Sequence, residues 1–106
     1  MTFEERIEQC RAIIDDVSFR TVKEWKAKHQ GGKVVGMFPV YTPYELPHAA
    51  GMLPVGVLGA GGKIEIDHAD SRIQSFVCSI ARSTLELGLC DMVKDFDALW
   101  FTSICD

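Results

Sequence analysis

The sequence contains no hydrophobic run of the roughly 18 residues that a helix needs to cross a bilayer. It also lacks a basic excess, because its formal net charge is -4, so no general basic surface is available for nucleic-acid phosphates. Its first residues, MTFEERIEQCRAII, carry acids where a secretory signal carries basic and then apolar residues. We therefore expect a soluble, cytoplasmic protein that binds neither membranes nor nucleic acid.

Cysteine pairs are also missing: Cys10, Cys78, Cys90 and Cys105 lie far apart, and none forms a C-x-x-C motif. This spacing argues against a disulfide scaffold and against a compact zinc knuckle. The thiols are then either buried side chains or ligands that converge only in the fold. Cys10 lies on the apolar side of a predicted helix, which favours a small core residue there.

With 106 residues, of which 47% are hydrophobic, the chain is long enough for one compact core. Residues 1–32 form a predicted helical segment, in which residues 2–29 make one helix or a helical hairpin. Thr2 and Glu5 match a capping box at its start. Residues 33–106 form the predicted first part of an α/β domain.

Three β-prone runs alternate with helical patterns in that second part. KVVGMFPVY predicts the first strand, MLPVGVLGAGG a second strand that enters a glycine-rich loop, and residues 98–104 a third. This alternation is typical of a parallel sheet covered by helices. The predicted fold class is α/β: an amino-terminal helix followed by an incomplete Rossmann-like parallel sheet with flanking helices.

Two helices are predicted between the strands. Thr42 and Glu45 match a second capping box, and Pro47 limits that helix to one or two turns. The next helix has Asp70 as its predicted N-cap and ends at Gly88, with an apolar stripe on one face. Cys78 is predicted within this helix, beside the stripe.

The segment LGAGGK, residues 58–63, resembles a phosphate loop only superficially. Its glycines fit neither GxxxxGK[ST] nor GxGxxG opening directly into a helix. A flexible turn after a strand explains them better.

Glu45 and His48 are candidate catalytic residues, because a carboxylate and an imidazole three positions apart share one helix face. They suit an acid and base pair or a substrate-positioning pair. Helix capping is the competing role for Glu45. His68, beside acidic neighbours, is interpreted as a loop histidine.

Cys78 and Cys105 are candidate metal ligands. Small residues flank Cys78, and Cys105 follows a strand at the carboxyl edge of the predicted sheet, where ligand sites gather. Iron-sulfur clusters take cysteine thiolates, usually three or four of them. The pattern alone does not distinguish such ligands from two buried thiols.

Three segments together resemble one known family: GMFPVYTPYELPHAAGMLPVGVLGAGG, FVCSIARSTLELGL and FDALWFTSICD. They are similar to the amino-terminal portion of the 2-hydroxyacyl-CoA dehydratase and benzoyl-CoA reductase family, and most closely to catalytic subunits of the reductases. The likeness covers residues 33–106 well and the first helix more loosely. Its specificity lies in the combination of P-x-x-x-P-x-E-L, A-A-G-x-x-P-V, C-S-x-x-R and a strand ending in C-D.

The resemblance implies a 4Fe-4S cluster held by three cysteines in each of two related subunits. Cys78 matches the first ligand and Cys105 the second, whereas Cys10 and Cys90 match none and are expected in the core. The third ligand has no counterpart in this chain. The resemblance therefore implies that the chain is a fragment of a larger subunit and holds no stable cluster alone.

The implied activity is ATP-dependent reduction of the aromatic ring of benzoyl-CoA by low-potential electrons, in anaerobic aromatic degradation. The implied partners are a second cluster-bearing catalytic subunit, ATP-hydrolysing iron-sulfur activator subunits, and benzoyl-CoA or another acyl-CoA. Glu45 or His48 would supply or position a proton. Two alternatives stay open: a 2-hydroxyacyl-CoA dehydratase subunit, and a small non-enzymatic α/β module with buried cysteines.

Overall fold

A computed structural model of the chain describes residues 1–38 and 41–103. The elements follow in the order α1 (Phe3–Ile14), α2 (Arg20–Lys28), β1 (Val34–Phe38), α3 (Glu45–Ala49), β2 (Leu53–Gly56), α4 (Asp67–Asp70), α5 (Ser79–Leu89) and β3 (Ala98–Phe101). The α/β class is confirmed. No helix in these described ranges is long and apolar enough to cross a membrane.

The three strands form one parallel sheet in the order β2-β1-β3. Val35 of the central strand lies opposite Pro54 of β2 and Ala98 of β3. A proline is acceptable in β2 because an edge strand does not need every N–H for the sheet. The strand pairing and the helices between the strands confirm the predicted parallel sheet with helices in its connections.

The core cluster joins the chain after β2 to α5 through Val57, Ala60 and Leu87, and β1 is buried as well. Val34, Met37 and Leu87 are fully buried, and Val57 is 1% exposed. Gly36 in the middle of β1 has no room for a side chain, since an added Cβ would lie 2.6 Å from atoms of both Leu99 and Phe96. Large side chains from β3 and the turn before it thus cover the centre of the sheet.

The amino-terminal segment forms two helices rather than one long helix, and both of these forms were compatible with the prediction. The capping box is confirmed: Glu5 N–H donates to Thr2 Oγ1 at 3.2 Å, and Thr2 N–H donates to Glu5 Oε2 at 2.6 Å. The predicted core position of Cys10 is wrong, because α1 buries none of its residues and Cys10 is exposed. Val17 and Phe19, which follow α1, pack against the core in its place.

The short helix α3 begins later than predicted. Its N-cap is Tyr44 and no side chain caps it, so the predicted capping box of Thr42 and Glu45 does not form. Thr42 is instead buried, and its hydroxyl finds no hydrogen-bond partner in the described part of the chain. The helix ends before Gly51, which has a φ of +76°.

The long helix predicted from Asp70 is broken into two. Asp70 ends the one-turn helix α4 rather than capping α5, and α5 begins only at Ser79. Two contacts between α4 and α5 explain the break. Arg82 forms an ion pair with Asp70, and Glu86 accepts a hydrogen bond from the Ala69 N–H at 2.6 Å. Because these contacts hold α4 beside α5, the chain between them must turn.

Candidate functional site

The parallel strands all end at the same edge of the sheet, after Phe38, Gly56 and Phe101. Ligands of open parallel α/β sheets bind outside the carboxyl ends of the strands. The chain continues from this edge into α3 and the glycine-rich loop of residues 58–62. Cys105, the predicted ligand after the third strand, lies outside the described residues.

Cys78 is the N-cap of α5 and is exposed. The prediction that it lies within a helix is therefore wrong, since its backbone is extended, with φ -60° and ψ 153°. No side chain caps this end of α5. The thiol is thus accessible at a helix start without any opening of the fold.

The glycine-rich loop packs against the first turns of α5. Ala60 N–H donates to Ser83 Oγ at 3.2 Å, and that hydroxyl donates to the Ser79 carbonyl oxygen at 2.8 Å. Gly59 has a φ of +86°, and a Cβ added there would collide with Ser83 Oγ. The segment is a turn after a strand, as predicted, and it brings the start of α5 near the carboxyl end of β2.

Glu45 and His48 both lie on α3, which follows β1, and both are exposed. Within the described ranges, no hydrogen bond or ion pair joins either side chain to another group. The structure therefore leaves both side chains available to a ligand, and no hydrogen bond or ion pair among the described residues joins them to Cys78. Their catalytic role stays a prediction.

An apolar groove with a volume of about 540 Å³ runs beside β2 and the same loop. Ile14, Val17 and Phe19 form one wall, and β2 with the glycine-rich loop forms the other. Among the described residues that line this groove, none is a predicted site residue. The groove does include the carboxyl end of β2 and the glycine-rich loop that packs against the start of α5.

A cluster of titratable side chains lies at the other end of α5. His68 Nδ1 is 2.6 Å from Glu86 Oε1, and Cys90 Sγ is 3.3 Å from the same oxygen. Two interpretations are wrong here: His68 lies in α4 rather than in a loop, and Cys90 is exposed at the C-cap of α5 rather than in the core. The cluster joins α4 to α5 at a solvent-facing position.

Glu86 is the buried member of this cluster, with 2% of its surface exposed. Burial alone would raise the pKa of its carboxyl. Hydrogen bonds from His68, the Ala69 N–H and Cys90 outweigh burial, so the pKa lies below its usual value. The same carboxylate, by accepting the thiol hydrogen bond, raises the pKa of Cys90.

Sequence reasoning did not identify Glu86. One local signal was available, because Glu86 and Cys90 are four residues apart on one helix and hence on the same face. The approach of His68, 18 residues before Glu86, depends on the break between α4 and α5. No local pattern indicates that break.

Comparison with known proteins gives a consistent set of relatives. The family model of the 2-hydroxyglutaryl-CoA dehydratase D-component matches residues 39–106. The chain is 42% identical over 106 residues to a benzoyl-CoA reductase subunit of Thauera aromatica, a match that covers 100% of this chain and 28% of that protein.

Two dehydratase subunits are also similar. Identity is 41% over 81 residues to the beta subunit of (R)-2-hydroxyglutaryl-CoA dehydratase of Acidaminococcus fermentans, which covers 76% of this chain and 21% of that protein. It is 36% over 104 residues to the beta subunit of lactoyl-CoA dehydratase of Anaerotignum propionicum, which covers 95% of this chain and 27% of that protein. The matched part of the chain thus spans between 21% and 28% of the length of these relatives. No solved structure gives a significant match.

Proposed function

The chain belongs to the 2-hydroxyglutaryl-CoA dehydratase D-component family, and from this premise we propose that it forms part of an iron-sulfur subunit of an acyl-CoA reductase or dehydratase. The observation that carries the proposal is the family match over residues 39–106, because this range contains Cys78, Cys105, Glu45 and His48. The matched relatives are named as subunits, which supports a multi-subunit enzyme.

Cys78 is the proposed cluster ligand that the geometry supports best. It is a free, exposed thiol at the uncapped start of α5, so an external group can reach its sulfur without displacing packed side chains. Hydrogen bonds of Ser83 to the glycine-rich loop and to Ser79 hold the first turns of α5, so the backbone that carries the thiol is fixed in position. A cluster bound there would supply electrons one at a time at low potential.

Cys105 is proposed as the second ligand from its match to the family pattern. It lies outside the described residues, so this assignment depends on sequence alone. In the described part of the sheet, β3 runs parallel to β1, with Phe101 opposite Phe38. β3 therefore ends at the edge of the sheet from which the chain also continues to α3, and ligand sites of parallel α/β sheets lie at this edge.

Glu45 and His48 are proposed to hold or move protons beside the acyl-CoA. Both side chains are exposed on α3, and no hydrogen bond or ion pair among the described residues competes with a catalytic role. Loss of the predicted capping box strengthens the case for Glu45, because capping was its alternative role. Turnover of the Glu45→Gln variant tests this step.

Benzoyl-CoA is the proposed substrate, with ring reduction as the proposed reaction, because the benzoyl-CoA reductase subunit of Thauera aromatica matches the whole chain at 42% identity. The second candidate is dehydration of a 2-hydroxyacyl-CoA, which the dehydratase relatives at 41% and 36% identity support. The proposed partners are a second cluster-bearing subunit and an ATP-hydrolysing activator.

An assay of the assembled enzyme distinguishes the two reactions. We propose supplying ATP and a low-potential reductant, first with benzoyl-CoA and then with the (R)-2-hydroxyglutaryl, lactoyl and (R)-phenyllactyl thioesters of CoA, the substrates that the dehydratase relatives are named for. Consumption of benzoyl-CoA with loss of its aromatic absorbance supports the reductase. Turnover of hydroxyacyl thioesters alone assigns the chain to a dehydratase, and turnover of none of these thioesters contradicts both.

A further inference from the structure

We propose that His68, Glu86 and Cys90 bind one divalent cation of the zinc class, at a site separate from Cys78. The three side chains come from the one-turn helix α4 and from the last turn of α5. Cys78 and Cys90 mark opposite ends of α5, about 18 Å apart at 1.5 Å per residue. A cation at Cys90 is therefore not part of a cluster at Cys78.

The donor atoms are of the kinds that Zn²⁺ accepts: an imidazole nitrogen, a carboxylate oxygen and a sulfur. All three lie within 4.8 Å of one another. At the tetrahedral angle, ordinary zinc bonds place such atoms roughly 3.4 to 3.6 Å apart. The observed separations of 2.6, 3.3 and 4.0 Å lie on both sides of that range.

Small movements bring the three atoms to zinc geometry. The His68 side chain is 68% exposed, so its ring can move outward by the fraction of an ångström required. Cys90 is exposed at the C-cap, so its thiol can move towards the other two ligand atoms by rotation of the side chain. Neither movement displaces a core side chain.

The carboxylate is already oriented for this role. Ala69 N–H donates to Glu86 Oε2 at 2.6 Å, which leaves Oε1 facing His68 and Cys90. A hydrogen bond to the second oxygen of a ligating carboxylate is the usual support around protein metal sites. Glu86 thus has one oxygen held by the protein and the other available to a cation.

Charge also favours a cation here. Glu86 is a buried carboxylate, and no lysine or arginine among the described residues pairs with it. When Zn²⁺ binds, the Cys90 thiol loses its proton to the buffer, so one thiolate and one carboxylate balance the two positive charges. Neutral His68 is the third ligand, and water takes the fourth position.

The proposed cation would fasten α4 to α5. Hydrogen bonds of the same three side chains already join the helices, and Arg82 pairs with Asp70 beside them. A metal would replace the hydrogen bonds that His68 and Cys90 make to Glu86 by coordinate bonds. Binding should therefore raise the thermal midpoint of the chain, because a ligand that binds the folded state stabilises it.

Cobalt titration tests the site, since Co²⁺ occupies zinc sites and reports thiolate ligation by absorbance. The reduced, oxygen-free chain of 106 residues should bind one equivalent of Co²⁺ with a thiolate charge-transfer band. Cys90→Ser and His68→Gln should each weaken binding by about tenfold or more, and Cys90→Ser should abolish that band. Cys10→Ser and His29→Gln are matched controls that should leave the titration unchanged.

A second measurement needs no variant. Zn²⁺ should protect Cys90 of the wild-type chain from iodoacetamide, as read by peptide mass spectrometry, while Cys10 reacts at its metal-free rate. Equal alkylation of Cys90 with and without Zn²⁺ would overturn the site even if a variant failed to fold. A cobalt band that persists in Cys90→Ser would overturn it as well.

Discussion

Val34 and Asp97 are joined by two hydrogen bonds that run in opposite directions. The Asp97 N–H donates to the Val34 carbonyl oxygen at 2.8 Å, and the Val34 N–H donates to Asp97 Oδ2 at 2.8 Å. The same carboxylate forms an ion pair with Lys26 of α2 at 3.0 Å. One aspartate therefore connects the start of the central strand, the approach to β3 and the amino-terminal helices.

Neutralising Asp97 should destabilise the fold. Asp97→Asn loses the ion pair with Lys26 and weakens the hydrogen bond from Val34, so we expect the thermal midpoint to fall by several degrees. Asp67→Asn is the control, because Asp67 is an exposed aspartate whose side chain makes no bond in the described structure. Thermal unfolding followed by circular dichroism measures both. Equal midpoints for the two variants would refute this role for Asp97.

Acid should weaken the wild-type protein through the same group. The Val34 N–H first, and Lys26 second, hold the pKa of Asp97 below its usual value. A lowered folded-state pKa contributes stability that is present above the unfolded value of about 3.9 and is lost as the pH falls through the folded pKa. Urea unfolding between pH 7 and pH 3 should therefore show a smaller acid loss in Asp97→Asn than in the wild type. Parallel curves would contradict this linkage.

A side chain at Gly36 should destabilise the fold. An alanine Cβ there would lie 2.6 Å from both Leu99 and Phe96, so we expect Gly36→Ala to cost about 1–3 kcal/mol of unfolding free energy. Gly88→Ala is the matched control: nothing lies within 4 Å of its Cβ position, and alanine suits a helix better by up to about 1 kcal/mol. Chemical denaturation measures both changes. The account requires opposite signs.

Leu87 should be a central contributor to the core. It is fully buried on α5 beside Val57 and Ala60, so Leu87→Ala should lower the unfolding free energy by about 2–5 kcal/mol. Leu89, two residues later, is 37% exposed and should cost clearly less when changed to alanine. Similar losses for the two leucines would show that the packing of α5 differs from this description.

Glu45 tests the proposed proton chemistry. In the assembled enzyme, Glu45→Gln should lower turnover by about 10²- to 10⁴-fold if the carboxyl transfers a proton. The thermal midpoint should stay unchanged, because the side chain is exposed and bonds to nothing in the described chain. Glu65→Gln, at another exposed acid, is the control. A variant that retains both turnover and CoA-ester affinity removes Glu45 from the mechanism.

Local patterns predicted much of the fold. The capping box of Thr2 and Glu5 needs only residues three apart, and the strands have the β-prone composition and punctuation expected of them. The alternation of elements then led to a parallel sheet. These signals succeed because they depend on neighbours in sequence.

Long-range contacts explain what was missed. The start of α5 depends on Arg82 and Glu86 reaching back to Asp70 and Ala69, and helical periodicity carries no trace of those contacts. The amphipathic pattern of its helix places Cys10 in the core, but periodicity does not indicate which helices pack against the sheet. In the structure α1 buries none of its residues. For Cys78 the pattern leaves a ligand and a buried thiol open; the structure shows an exposed thiol at the start of α5 rather than within a helix.

The central claim is that Cys78 and Cys105 ligate an iron-sulfur cluster. The most direct measurement is the iron and acid-labile sulfide content of the assembled enzyme, expressed and purified without oxygen. Cys78→Ala and Cys105→Ala should each remove about one cluster's worth of iron, while Cys10→Ala retains it. Iron that is absent from the wild type, or unaffected by both substitutions, would contradict the account.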